Sequence, residues 1–353
     1  MRKLNRYVAS SVIISVLITL LVMLSLDLTG ALIDEVAEIE GRYTYTEVLI
    51  YLALTLPRRI YEFIPFSSLV GCLVGLGLLA SSSELTVMRA AGVSVKRISW
   101  MTLRASLLFI FFAAFLGEYV IPYSDQMADS RRALAQGDAQ VFQAKDGLWS
   151  HEGDDFIHVN VVLPNGKLYG ITRYQFDSAG KLLESSFTQE AIFLGDYWRE
   201  EAVDVTVFHG NTIEKTYHES RRWQTGLTPT LLNVLVLDPE ALSIQSLYAY
   251  ASYLDEQRRE SGRYWLAFWQ KTLQPLVTAS LVLIAISFVF GPLRQVTLGQ
   301  RVFTGLIFGI VFRTVQDLLG PASLVFGFSP FVAVIVPLLF CFGLGFIMLR
   351  RAN

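Results

Sequence analysis

The chain has 353 residues, of which 53% are hydrophobic and 17% are charged, and its formal net charge is −2 at pH 7. Soluble globular chains carry about 25% charged residues, so this composition excludes an ordinary soluble domain. The net charge itself indicates little, because the distribution of charge along the chain matters more, and we expect no nucleic-acid partner. Cys72 and Cys341 lie inside apolar runs and offer neither a disulfide framework nor a metal-ligand spacing.

Six long apolar runs bracket one polar stretch. Each run, as a helix rising 1.5 Å per residue, is long enough to cross a hydrocarbon core of about 30 Å. The first run is too long for a signal-peptide core and no small-residue cleavage pattern follows it, so we interpret it as a retained transmembrane helix. The runs cover residues 7–30, 63–80, 99–121, 266–290, 302–320 and 330–349.

The loops between the runs alternate in charge. The loop after the first run is acidic, whereas both chain ends and the alternate loops are basic. Because short cytoplasmic loops are enriched in Lys and Arg, we expect both termini in the cytoplasm and the polar insertion on the outer side. The basic residues are Arg2, Lys3, Arg6, Arg89, Lys96, Arg97, Arg294, Arg301, Arg350 and Arg351.

The loop between the second and third runs has the features of a separate short helix. Ser83 is a suitable N-cap, Glu84 suits the first turn and Gly92 a helix end. Leu85 and Met88 then form a small apolar stripe, which is typical of a helix held in a groove of another protein. An ordinary turn lying on the lipid headgroups is the alternative.

The polar insertion is predicted to be β. Residues 156–162 and 167–176 are two strand-like runs joined by a Pro-Asn-Gly turn, which indicates a hairpin. Several short antiparallel strands favour a sandwich or jelly roll. An amphipathic helix is expected over 243–260, leading back to the membrane. Further strands are expected near 180–194, 197–208 and 211–223.

The expected fold is therefore an α-helical membrane protein with an inserted all-β domain. Residues 1–122 hold transmembrane helices one to three, residues 123–262 form the outer β-jelly roll with its trailing helix, and residues 263–353 hold helices four to six.

Motifs for catalysis are missing from the sequence. It has no Gly-x-x-x-x-Gly-Lys-Ser/Thr, so we expect the chain not to hydrolyse ATP, and it has neither Gly-x-Ser-x-Gly nor His-Glu-x-x-His. Asp27 and Asp317 are a conceivable acid pair of a membrane protease, but neither lies in a recognisable motif. The histidines lack a ligand spacing and are interpreted as strand-surface residues; they are His151, His158, His209 and His218.

Several stretches, taken together, are more specific than any single motif. They are Gly75-Leu76-Gly77-Leu78-Leu79-Ala80, Ser83 to Gly92 (SELTVMRAAG), Leu237 to Ile244 (LDPEALSI), Gly262-Arg263-Tyr264, Gln274-Pro275-Leu276, Phe290 to Arg294 (FGPLR) and Gly320-Pro321. In these stretches the chain resembles the lipopolysaccharide-export permeases of the LptF/LptG family, and the LptG members more than the LptF members. The resemblance runs from the first helix to the C-terminus.

The resemblance implies a non-catalytic permease subunit of an ATP-driven exporter in the bacterial inner membrane. It would pair with an LptF sibling around an outward-opening cavity and pass lipopolysaccharide through the periplasmic jelly roll towards LptC and a periplasmic bridge. An LptB ATPase dimer would bind ATP and magnesium, so this chain itself needs no cofactor. The ATPase would hold a coupling helix at 83–93, through Glu84, Leu85, Met88, Arg89 and Gly92.

The resemblance also implies a lipid cavity between the first and fifth helices, with phosphate-binding cations at its outer rim. Contact with plain lipid and anchoring in headgroups are the alternatives. Ile33 and Asp129 stand where the LptG pattern has a lysine and an arginine, so the phosphate site is redistributed or is supplied by the sibling. Expected cavity residues are Met23, Leu26, Ile33, Leu306 and Ile310, and expected cations are Arg58, Arg59, Arg131, Arg132, Lys271 and Arg313.

Arg313 is a charge inside the fifth helix, and intramembrane charges usually face a cavity or a partner. One hypothesis is that Arg313 contacts phosphate, or pairs with Asp27 when a gate formed by the first and fifth helices closes. Structural pairing with Asp317, one turn further on, is the alternative. Asp27 and Asp317 are therefore the candidate gate pair.

Three other functions stay open on the sequence alone. The first alternative is the LptF sibling of the same complex, and the second is a non-transporting envelope assembly or signalling protein. The third and least favoured is a membrane enzyme.

Overall fold

The computed structural model describes residues 2–39, 43–136, 148–152, 154–162, 167–177, 180–209, 212–228, 238–256, 260–291 and 296–352. The chain divides into two compact units. Unit 1 comprises residues 1–31, 56–121 and 243–353, and unit 2 comprises residues 32–55 and 122–242. The predicted turn at residues 164–166 and the Phe290–Arg294 stretch beyond residue 291 lie outside the described residues.

Six helices among the described residues are long and apolar enough to cross a membrane, as predicted. The third continues from α4 through a π-helix at Leu116–Val120 into α5. Two shorter helices, α3 and α6, stand between them, and a 3-10 turn covers Pro239–Ala241. The helices are α1 Arg2–Ala37, α2 Tyr45–Ser81, α3 Glu84–Ala90, α4 Val95–Phe115, α5 Ile121–Gln136, α6 Ile244–Glu256, α7 Gly262–Phe290, α8 Leu298–Phe326 and α9 Pro330–Ala352.

Helix α2 is much longer than its apolar run indicates. It begins at Tyr45 rather than near residue 63, so Arg58 and Arg59 lie within it and do not precede it. Both arginines are paired, Arg58 with Glu62 one turn later and Arg59 with an aspartate of α1. Because these ion pairs compensate the charges, the helix extends past the point where hydropathy falls.

The core of unit 1 is apolar and includes residues of α1, α2, α3, α4, α7, α8 and α9. Helix α1 lies directly on α2, because Gly71 and Gly75 leave room for its backbone: a Cβ at Gly71 would lie 2.5 Å from the Val16 Cα. The Ser11 hydroxyl donates to the Gly75 carbonyl at 3.2 Å. Small residues at a helix crossing allow this close approach in membranes.

The expected trailing amphipathic helix is α6, and one apolar face of it packs inward. Leu247, Ala251 and Leu254 are buried. The Ile244 N–H at its start donates to the Glu118 carboxylate in the π-helix at 2.8 Å. That carboxylate therefore satisfies one of the free N–H groups at the helix start.

Unit 2 contains a six-stranded antiparallel sheet, which confirms the inserted all-β domain. The described strands follow one another in the order β1-β2-β3-β4-β5-β6, so each pairs with its neighbour in sequence. The strands are β1 Leu148–Glu152, β2 Asp155–Val162, β3 Lys167–Phe176, β4 Leu182–Phe193, β5 Trp198–His209 and β6 Thr212–Trp223.

The sheet is strongly curved. The Glu152 carboxylate at the end of β1 accepts hydrogen bonds from Thr225 and from the Gly226 N–H, which follow β6 at the other edge of the sheet. The buried Trp198 indole donates to the Leu227 carbonyl at 2.7 Å. Gly170 in β3 and Ala202 in β5 have positive φ angles, which mark the bends that permit this curvature.

Candidate functional site

An apolar cavity of about 330 Å³ opens within unit 1 between α1, α2 and α8. It brings together four of the five predicted lining residues, two from α1 and two from α8. The fifth, Ile33, is exposed further along α1 and does not line it. The lining residues are Met23, Leu26, Asp27, Phe63, Phe66, Val70, Gly305, Leu306, Gly309, Ile310 and Arg313.

The wall from α2 was missed by the sequence analysis. Phe63, Phe66 and Val70 recur at helical spacing, but the same spacing also fits a face that is simply buried. What distinguishes a cavity wall from a simply buried face is the pair Gly305 and Gly309. Because these residues have no side chains, α8 lies close to α2. A Cβ at Gly309 would lie 3.3 Å from the Phe66 ring.

Charged side chains cluster at one end of the cavity. Arg59 donates to the Asp27 carboxylate. Arg313 lies 3.7 Å from Glu62 on α2 and 3.5 Å from Asp317 on its own helix. The cavity is therefore apolar along its length, with cations already paired to carboxylates at its mouth.

The pairing of Asp27 with Arg313 was predicted for a closed gate and stays a prediction. In this structure Asp27 pairs with Arg59 of α2, whereas Arg313 pairs with Glu62 and Asp317. Asp317 pairs with Arg313 at the i, i+4 spacing, which is the structural alternative foreseen from the sequence.

Arg131 and Arg132 lie in unit 2 and are held by carboxylates. Arg131 pairs with Glu47 at 3.1 Å, and Arg132 pairs with Glu35 at 3.0 Å and with Glu38. The Tyr43 hydroxyl also donates to Glu35, at 2.6 Å. Burial and the Glu35 carboxylate together raise the pKa of Tyr43 well above its usual value.

Lys271 does not lie on an exposed rim. It is 8% exposed in α7, and its side chain reaches the π-helix, where a Cβ at Gly117 would lie 3.3 Å from its Cε. Of the six predicted cations, the structure thus places Arg59, Arg58 and Arg313 in the ion-pair cluster at the cavity mouth and the other three elsewhere.

The predicted coupling segment forms a seven-residue helix, Glu84–Ala90, shorter than the expected 83–93. Gly92, at φ +86°, follows its end as predicted. Ser83 precedes it without a side-chain cap, and the Ser82 hydroxyl donates to Glu84 instead.

The apolar stripe of this helix faces the protein's own core. Leu85 and Met88 are 4% and 8% exposed and pack in the core of unit 1, so they do not form an apolar face for a partner. A seven-residue helix needs these contacts to be stable, because short isolated helices are marginal in water. The surface left open consists of Thr86, Val87 and Ala90, with Glu84 and Arg89 half-buried.

Comparisons with known proteins agree with the resemblance seen in the sequence. A family described as lipopolysaccharide export system permease LptF/LptG matches residues 6–351. The permease protein LptG of Escherichia coli (strain K12) is 34% identical over 338 residues, covering 95% of this chain and 94% of that protein. LptG of Haemophilus influenzae is 33% identical over 354 residues, covering 99% of each chain. The chain therefore belongs to the LptF/LptG family of lipopolysaccharide export permeases.

Proposed function

We propose that this chain draws lipopolysaccharide out of the inner membrane into the cavity between α1, α2 and α8. It then delivers the lipid outward by way of the β unit, which is the six-stranded sheet of unit 2. The cavity is the observation that carries this proposal. Lipopolysaccharide combines acyl chains with phosphates, and the cavity combines an apolar wall with Arg59 and Arg313 at its mouth.

Extraction needs both a substitute solvent and an energy source. Burying a methylene is worth about 0.8 kcal/mol, so several acyl chains hold the lipid in the bilayer by tens of kcal/mol. An apolar cavity lowers this cost, and closing the cavity then expels the lipid. ATP hydrolysis by a separate LptB dimer supplies the work, and an LptF sibling completes the cavity.

Helix α3 is the proposed contact with the ATPase. Its open surface is small and uncharged at Thr86, Val87 and Ala90, and it is flanked by Glu84 and Arg89. Such a surface suits a shallow groove with complementary charges at its ends. LptC and a periplasmic bridge are the proposed acceptors of the lipid.

The charge distribution supports cytoplasmic termini and a periplasmic β unit. Arg2, Lys3 and Arg6 stand at one chain end and Arg350 and Arg351 at the other, and α3 is followed by Lys96 and Arg97. With six spans these basic positions all fall on one side, which the positive-inside rule assigns to the cytoplasm. The similarity to LptG proteins of Escherichia coli and Haemophilus influenzae favours the LptG role over that of the LptF sibling.

Reconstitution of the chain with its sibling and the ATPase in lipopolysaccharide-loaded proteoliposomes tests the proposal. A photocrosslinker at Leu306 or Ile310 is expected to label lipopolysaccharide before ATP is added and to lose that label after turnover. A crosslinker at Phe340, an exposed position on α9 outside the cavity, is the control. Equal labelling at all three positions, unaffected by ATP, would contradict the proposal.

A further inference from the structure

Arg301 is a buried arginine that the cavity does not use. It lies in the first turn of α8, is 3% exposed, and its Nη1 donates to the Gly77 carbonyl of α2 at 2.7 Å. Gly77 lies one turn before α2 ends at Ser81. A guanidinium stays charged, and burying it is costly unless hydrogen bonds compensate, so the contact holds the two helix ends in one arrangement.

Helix α2 is shaped to receive this side chain. A Cβ at Gly77 would lie 3.0 Å from the Arg301 Nη1 and 3.3 Å from its Cδ. On the same face of α8, Gly305 and Gly309 follow at one-turn intervals and lie against Leu73 and Phe66 of α2. Arg301 is thus the polar end of a close contact that runs from Arg301 to Gly309, along about two turns of α8, and finishes at the cavity.

The end of α2 is joined stiffly to α3. The Ser82 N–H donates to Leu78 at 3.0 Å, the Ser83 N–H donates to Ala80 at 3.1 Å, and the Val87 N–H donates to Ser83 at 3.0 Å. Because hydrogen bonds hold both linking residues, a displacement of α3 moves the last turn of α2 with it. That turn carries the carbonyl that Arg301 binds.

We propose that Arg301 is a positioning residue that transmits movement of α3, through the last turn of α2, to α8. Helix α8 carries Leu306, Ile310 and Arg313 into the cavity, so its displacement changes the cavity directly. This inference rests on the proposed function, in which α3 receives the motion of the ATPase.

The test measures lipopolysaccharide released per ATP hydrolysed by the complete complex in proteoliposomes. Arg301→Gln removes the guanidinium and is expected to lower this ratio about tenfold, as loss of a charged hydrogen bond warrants, with hydrolysis changed less than twofold. Gly77→Ala displaces the guanidinium from the other side and is expected to lower the ratio as well. Arg301→Lys keeps a cation and is expected to restore part of it.

Gly299→Ala is the matched control, because it changes the same turn of α8 at a position where a Cβ would meet no described atom within 4 Å. Unchanged ratios in both Arg301→Gln and Gly77→Ala would overturn the inference, and so would a parallel fall of hydrolysis and release in both variants, which indicates a packing role alone. Failure of the proposed function is distinct, since the unsubstituted complex would then release no lipopolysaccharide on addition of ATP.

Discussion

At the scale of single residues, the Asp27–Arg59 pair decides how many cations the cavity mouth offers. Asp27→Asn removes the carboxylate that Arg59 now binds, and we expect lipopolysaccharide to be retained about fivefold to tenfold more strongly, because a charged hydrogen bond is worth about 1.5–3 kcal/mol, part of which the exposed mouth screens. Co-purification of lipopolysaccharide with the detergent-solubilised complex measures this. Asp34→Asn, an exposed position on the same helix, is expected to change nothing. Weaker retention in Asp27→Asn would contradict the prediction.

We expect His158 to make the β unit sensitive to acid. Its side chain is 8% exposed beside Trp149, and burial lowers its pKa. Below about pH 6.5 the unfolded chain binds a proton that the folded chain does not, so stability falls as the pH falls, by at most about 1.4 kcal/mol per pH unit. Tryptophan-monitored unfolding of the full chain between pH 7.5 and 5.5, values chosen to bracket about pH 6.5, tests this.

The matched variants separate this residue from other acid effects. His158→Gln is expected to flatten the pH dependence, whereas His218→Gln, at an exposed position on β6, is expected to leave it unchanged. An identical slope in His158→Gln and in the unsubstituted chain would refute the assignment.

At the scale of elements, an ion-pair network stabilises the sheet from within. Glu200 is 1% exposed and accepts hydrogen bonds from Arg221 at 2.7 Å and from Thr188 at 3.0 Å. Arg221→Met leaves this buried carboxylate without its cation, and we expect a loss of about 3–5 kcal/mol of the β unit's stability, measured by denaturant unfolding.

Two further variants test whether the buried charge causes that loss of stability. Arg199→Met breaks a half-exposed pair with Glu201 and is expected to cost less than about 1 kcal/mol. Adding Glu200→Gln to Arg221→Met removes the stranded charge, so the double variant should recover part of the stability. A double variant as unstable as Arg221→Met would show that packing, not charge, dominates.

The close packing of α1 against α2 depends on Gly71. Gly71→Ala is expected to lower the stability of unit 1 by about 1–3 kcal/mol, because a methyl group there overlaps the Val16 backbone. Gly30→Ala, where a Cβ meets no described atom within 4 Å, is expected to be neutral or stabilising. Thermal unfolding in detergent distinguishes them, and equal midpoints would contradict the packing argument.

Elements with a strong local signal were predictable from the sequence. The six spans follow from apolar length, although several helices extend beyond their apolar runs, and five of the six described strands, which follow from alternation broken by turn residues, were found within two residues of their observed bounds. The early start of α2 was not predictable, because Pro57, Arg58 and Arg59 interrupt its apolar sequence, and the charge of Arg59 is compensated by Asp27, which is distant in sequence. The inward orientation of the apolar stripe of α3 was not predictable either. The stripe alone does not indicate whether it packs in the core of this protein or against a partner.

The candidate site was only partly predictable for the same physical reason. Met23, Leu26, Leu306 and Ile310 follow from knowing which helices meet. The partners of the arginines do not, because a side chain as long as Arg132 reaches several carboxylates and three-dimensional packing selects among them. Arg301 had been counted as a topological charge, and its burial against Gly77 has no sequence signal beyond the glycine itself.

At the scale of the whole molecule, the proposed topology predicts opposite accessibility for two exposed positions. Val87 on α3 is 66% exposed and Ile213 on β6 is 65% exposed. Because the native Cys72 and Cys341 are buried, cysteines introduced at these positions report on their own sites. In intact cells with a permeabilised outer membrane, a membrane-impermeant maleimide should label Ile213→Cys and not Val87→Cys. Labelling of Val87→Cys before the inner membrane is opened would reverse the orientation.

The glycines on α2 have a mechanical consequence. Gly71 and Gly75 bring the α1 backbone onto α2, and a spacing of four residues corresponds to about 6 Å along a helix axis. A smooth groove with a repeated footprint resists separation more than it resists axial sliding, which is the shear type of motion seen between packed helices. An axial shift of α1 along this groove would break the Ser11–Gly75 hydrogen bond and the Asp27–Arg59 ion pair, so these two contacts set the position of Met23 and Leu26 beside the cavity.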